Sequence, residues 1–217
     1  MRPSLHGFFG SGVAINFKNG DFINITGWTI LSGQVKLNGL TNIAGWPTPT
    51  DPTQNPPGRG GSGVTDGGGA VTIATYYEFS ATELPPGFAA PQQSLRLWNA
   101  GTSISFGIVH GPAVFSQDTV HIQGGSIVEF WWRALAGGDA YDVFAYLLNV
   151  DDGSTITLLN NTGPDDSGVT TWALNSIAIP PGIAGDYRFV FIAGSFDYTG
   201  GTAYGGSLYI TGVKVKV

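Results

Sequence analysis

A chain of 217 residues, 42% of them hydrophobic, carries enough apolar material for one large core, and the length suits a single β-sandwich. Charged residues make up only 11%, and the net charge of −6 comes without any basic cluster, which argues against nucleic acid and anionic membrane surfaces as partners. The absence of Cys excludes disulfides, thiolate metal sites and a Cys nucleophile, and no apolar run is long enough for membrane insertion as a helix.

In chain order, residues 1–15 read as an N-terminal arm. Gly7, Gly10, Ser11 and Gly12 interrupt any apolar core of a secretion signal, so none is expected here. Phe8 and Phe9 make the arm apolar and are its candidate partner-binding residues. From residue 16 to residue 217 the text is β. Phe22–Ile25 and Trp28–Leu31 read as short strands broken by Thr26-Gly27, and Gln34–Asn38 alternates as a half-buried strand does. The span 45–69 then holds five prolines and eight glycines. That composition suits neither a helix nor an inner strand, so it is expected to be one long inserted loop. Trp46 at its mouth is a candidate exposed anchor.

Strand-like text resumes at Ala70–Phe79 and continues with Ser94–Trp98, Ala113–Ile122, Ser126–Leu135 and Asp142–Val150. Asp151-Asp152-Gly153-Ser154 reads as a hairpin turn into Thr155–Leu159, and Thr171–Ile179, Gly185–Ala193 and Ser207–Val217 follow. Roughly ten strands separated by frequent turn signals predict an all-β fold, a two-sheet antiparallel β-sandwich of jelly-roll type.

Catalytic constellations are sparse. There is no nucleophile elbow, phosphate loop or zinc-type His pair, and only three Glu residues are present. No enzyme activity is expected. His110 precedes Gly111-Pro112 and reads as a structural histidine at a strand end. Asp151-Asp152 and Asp165-Asp166 sit beside Gly and read as turn formers. Asp139, Asp142 and Asp197 are the candidate metal ligands, the alternative being a buried polar network. Six Trp, eight Tyr and 13 Phe supply a large core and leave aromatic faces for recognition. Trp131 and Trp132 are adjacent in one strand and must point to opposite faces. One of them is therefore a candidate for a glycan or partner surface.

The order of several motifs resembles a known type of module. Asn19-Gly20-Asp21-Phe22 followed by Gly27-Trp28-Thr29 is similar to the opening of galactose-binding-like jelly rolls, among them many carbohydrate-binding modules. The later motifs are Gly107–Pro112, Val128–Ala134, Asp139–Phe144, Tyr146–Leu148, Tyr187–Phe191, Phe196–Gly201 and Ser207–Ile210. Together they resemble β-sandwich modules of large surface and adhesin-type proteins of marine bacteria and cyanobacteria. Similar modules occur in structural proteins of phages that infect such hosts. Related jelly rolls hold calcium with acidic residues after Asn-Gly-Asp-Phe and after the last Tyr-Ile. Here those places carry Ile23, and Thr211 with Gly212, while Asp21 remains; this departure argues against the usual structural calcium, and no cofactor is expected.

The resemblance implies a protein that binds or builds. The first expectation is a non-catalytic virion structural or interaction protein, a capsid decoration or a tail or fibre component. Its partners would be other virion proteins or further copies of itself. The alternative is a carbohydrate-binding or adhesion module at an extracellular or cell surface, with a cell-surface glycan as partner.

Overall fold

The computed structural model describes residues 14–17, 19–31, 64–66, 69–75, 85, 87, 93–104, 107–163, 170–197, 201–203 and 205–217. Phe8, Phe9, Trp46, the strand expected at 34–38 and most of the span 45–69 lie outside the described residues. Within that span, Val64–Asp66 forms a short strand and Gly69 opens another.

Fifteen strands are described, and no helix. They are β1 (Ala14–Asn16), β2 (Trp28–Leu31), β3 (Val64–Asp66), β4 (Gly69–Thr75), β5 (Gln93–Asn99), β6 (Thr102–Ile104), β7 (Gly107–Ser116) and β8 (Val120–Gln123), then β9 (Ile127–Leu135), β10 (Ala140–Asn149), β11 (Thr155–Thr162), β12 (Ala173–Ala178), β13 (Ala184–Asp197), β14 (Gly201–Ala203) and β15 (Ser207–Lys216). The first sheet runs β12-β9-β15-β5-β4, with β1 also on β15. The second runs β11-β10-β13-β7-β2, with β3 on β7 and β8 on β13. All these pairings are antiparallel except β3 with β7. From β8 onward the chain repeatedly changes sheet, as a jelly roll does. The expected two-sheet sandwich is the observed fold.

Four expectations are corrected. Phe22–Ile25 is an irregular loop and not a strand. Asn19 and Phe22 both take positive φ, 51° and 52°, which breaks an extended run. For Phe22 that conformation costs about 1–2 kcal/mol, and burying its ring contributes about 1.5–3 kcal/mol in return. The ring is fully buried, 5.0 Å from that of Trp28. The run Ala113–Ile122 is two strands, because five residue steps from Phe115 to Val120 face only three from Val190 to Tyr187. Arg188 Nη1 donates to the carbonyls of Ser116 and Gln117 at that interruption. His110 lies within β7 and not at a strand end. At the other end, Ala14 and Ile15 pair with Lys216 and Val215, so the last two residues of the arm belong to the sandwich.

The core follows the period of two along each strand. Val128, Phe130 and Ala134 of β9 face inward with Trp132 packed beside them, against Val143, Ala145 and Leu147 of β10 and Phe189, Phe191 and Ala193 of β13. In β15 the inward set changes parity, from Leu208 and Ile210 to Val213 and Val215. A β-bulge between Thr211 and Lys214 causes this: three steps on β15 face two on β9, with Gly212 at φ 67°. One extra residue swaps the faces, so every later apolar residue still reaches the core. β10 is buried along its whole length. Its outer residues Phe144, Tyr146 and Leu148 join Phe115, Val190 and Ile192 in a second buried cluster. The unbroken apolar run Val143–Leu148 is the sequence signature of a strand covered on both faces.

Asn99 ties the sheets together. Its Nδ2 donates to the carbonyls of Gly111 (2.6 Å) and Val109 (3.3 Å), and its Oδ1 accepts from Gly101 N (2.7 Å) and Ser195 Oγ (3.3 Å). Both donors and both lone pairs of the buried amide are thereby used.

Candidate functional site

The outer face of the first sheet carries a groove of about 850 Å³, within the size range of small-ligand sites. Its floor is Glu129 and Trp131 of β9, Leu174 of β12, and Gly212, Val213, Lys214 and Lys216 of β15. The loop after β1 forms a wall with Phe17, Asn19, Gly20, Asp21 and Ile23. Local bonds shape that wall. Gly20 N donates to Phe17 O at 2.8 Å, Phe22 N to Asn19 O at 3.1 Å, and Thr26 N to Asn24 Oδ1 at 2.8 Å. Val213 N donates to Gly20 O at 2.9 Å and fastens the loop to the bulge.

Strand register then decides which side chains meet. Trp131 stands opposite Leu174 on one side and Thr211 on the other, and Glu129 stands opposite Ser176 and Lys214. Lys216 Nζ reaches Glu129 Oε1 at 2.6 Å, Lys214 Nζ reaches Oε2 at 3.1 Å, and Ser176 Oγ donates to Oε1 at 3.2 Å. Burial pushes the Glu129 carboxyl up, but the hydrogen bonds from Lys216, Lys214 and Ser176 and the charge of Lys214 outweigh it. The net shift is downward. Glu129 is therefore an anion pinned between two ammonium groups, unsuited to donate a proton as a general acid. Apolar surface borders this charge cluster: Ile23 is 65% exposed and Leu174 46%.

The structure distributes the sequence candidates as follows. Trp131 lines the groove, whereas Trp132 packs on the core. The signal for that choice was present in the sequence, since Glu129 and Arg133 share Trp131's parity while Val128, Phe130 and Ala134 share Trp132's. Trp98, 42% exposed on β5, is an outward aromatic that the sequence reading passed over. Leu174 and the Glu129–lysine cluster carry no local motif that would mark them either, and Ile23 stood out only where a calcium ligand is missing. Asp142 and Asp197 do not meet. Tyr141 opposes Ser195, so alternation puts Asp197 on the face of Tyr141 and Asp142 on the other. Asp142 is fully buried and accepts from Thr162 Oγ1 at 2.6 Å. No group of three or more His, Asp or Glu side chains among the described residues is placed to hold a metal.

The positions that the resemblance links to calcium do converge. Asp21 and Gly212 line the same groove, and Thr211 Oγ1 lies 3.5 Å from Asp21 O. The side chains do not fit the ion. Thr211 Oγ1 donates to Gln93 O at 3.1 Å, Ile23 offers no oxygen, and two lysines enter the groove. Chelation with EDTA is expected to leave the melting temperature unchanged within about 1 °C, because a groove whose side chains do not fit calcium gains no stability from the ion by mass action. A fall of many degrees, reversed by calcium in differential scanning calorimetry, would show that a site exists.

No protein-family model matches the chain, and no curated protein does. Solved structures match most of its length at low identity. A cyclase from Fischerella sp. TAU is 13% identical over 94% of this chain and 97% of its own, with a TM-score of 0.48. The carbohydrate-binding module TmCBM61, in complex with β-1,4-galactotriose, is 11% identical over 93% of this chain and 97% of its own, at 0.46. The enzymatically active domain of bacteriophage CBA120 tailspike protein 4 is 15% identical over 93% of this chain, at 0.41. This chain spans 21% of that tailspike chain's length.

Proposed function

We propose that this chain is a non-catalytic recognition module, a tail or fibre component of a virion or a comparable surface protein, that holds a carbohydrate in the groove beside Trp131. One observation carries the reading. An aromatic side chain, exposed apolar surface and fixed polar groups converge in an open groove on a rigid sheet. A sugar ring offers an apolar face for an aromatic and hydroxyls for polar neighbours. Among the described residues, the pinned Glu129 and the separated Asp142 and Asp197 form no acid/base pair, which supports the non-catalytic reading.

A second reading, docking on a larger assembly as a capsid decoration or structural subunit, draws on a different observation. β1 pairs with the end of β15 at Lys214–Lys216, so Ala14, the first described residue, lies on the strand that floors the groove, and the sequence before it carries Phe8 and Phe9. Two experiments separate the readings. Trp131→Ala is expected to weaken oligosaccharide binding by about tenfold or more, since loss of a stacking aromatic costs over 1 kcal/mol. Isothermal titration against a glycan panel reads it out, with circular dichroism to confirm the fold. Removal of residues 1–13 tests docking through incorporation into particles. If Trp131→Ala binds glycans as the parent does, and only the truncation has an effect, assembly is the function and glycan recognition is not.

A further inference from the structure

The groove floor holds a lysine pair. The chain has a net charge of −6 and only 9 Lys and Arg, yet Lys214 and Lys216 lie side by side on one outer strand face. Each ammonium has three donors, and each makes one contact to Glu129. The side chains remain 35% and 37% exposed, while that of Glu129 is 8% exposed. Glu129 thus acts as an internal strut. It fixes two cationic heads at the groove floor and leaves most of their donors open to a ligand. Asp21 is the opposing charge, but it is exposed on the loop wall across from the sheet.

Resting on the carbohydrate reading above, we infer that the groove selects an acidic sugar, a uronate or a sulfated residue. Its ring lies along Trp131, its acid group meets the free donors of Lys214 and Lys216, and its hydroxyls turn toward Asp21. A neutral ring gives the open ammonium donors only hydroxyl oxygens in exchange for their water, with no opposite charge to offset the desolvation. An anionic group replaces that water with charge-assisted hydrogen bonds.

The test uses the full chain and a panel of uronate and sulfated oligosaccharides, each paired with its carboxyl-reduced or desulfated neutral partner. At least one acidic probe is expected to bind about tenfold or more tightly than its neutral partner, as hydrogen bonds to charged groups imply. That preference is expected to weaken at high salt and to vanish in Lys214→Gln/Lys216→Gln. The triple variant Glu129→Gln/Lys214→Gln/Lys216→Gln leaves no carboxylate unpaired, so it reports on selectivity even if the double variant unfolds. Equal binding of acidic and neutral partners overturns the inference and leaves carbohydrate recognition standing. An acidic preference that survives the triple variant overturns it as well. Binding of no probe, acidic or neutral, sinks the carbohydrate reading itself.

Discussion

Phe191→Ala is expected to lower the unfolding free energy by about 3–5 kcal/mol, the range for removing a buried Phe side chain. Phe191 is fully buried in β13 where the two sheets meet the loop after β1. Its ring lies 5.7 Å from Trp28, 5.4 Å from Phe130 at a steep angle, and 6.2 Å from the stacked ring of Phe189. Trp28 in turn touches Phe17 and Phe22. Removing Phe191 therefore opens a cavity between both sheets and loosens the support of the groove wall. A domain of this size loses about 2–4 °C per kcal/mol, so the melting temperature is expected to fall by about 6–20 °C. Calorimetry or chemical denaturation decides it. A fall of under 2 °C would mean that this aromatic cluster is not the centre of the core.

Gly20→Ala is expected to be the most damaging small change near the groove. A Cβ on Gly20 would stand 2.3 Å from Val213 O and 3.1 Å from Phe17 O. Both obstacles are backbone, and Val213 is held in place by its own bond to Gly20 O. The loop must lift off the bulge of β15. Overpacking of this kind costs about 1–3 kcal/mol. The larger effect is on function, because the wall formed by Asn19, Asp21 and Ile23 moves with the loop. Ligand affinity is expected to fall more than stability does. Ile23→Ala is the control, since its exposed side chain should change stability by no more than about 0.5 kcal/mol. If Gly20→Ala matches the parent in both denaturation and binding, the loop is not fastened to the sheet as described.

Much of this architecture follows from local sequence alone. Alternation in Ser126–Leu135 and Ser207–Val217 predicts strands, and the hairpin at Asp151–Ser154 forms from its own side chains. Asn149 Oδ1 accepts from Asp151 N and Asp152 N, and Asp152 Oδ1 accepts from Ser154 N. These signals act over a few residues, so no distant partner is needed to read them. The failure at Phe22–Ile25 has the opposite cause. That run has strand-like residues, but a distant aromatic pocket draws the Phe22 ring inward and overrides the extended conformation.

The composition and periodicity by themselves determined an all-β sandwich without disulfides, and two adjacent tryptophans that had to part. Residue parity in β9 also marked Trp131 as the outward one; tertiary structure alone decided that Asp142 and Asp197 stand apart and that Glu129, Lys214 and Lys216 meet. A period of two states that neighbours oppose each other but not which face the second sheet covers. Pairing of β9 with β12 and β15 settles that, and the extra residue at Gly212 shifts the lysines onto the outer face. The groove draws on residues from Phe17 to Lys216. Contacts so distant in the chain form only through strand register, which short-range pattern does not encode.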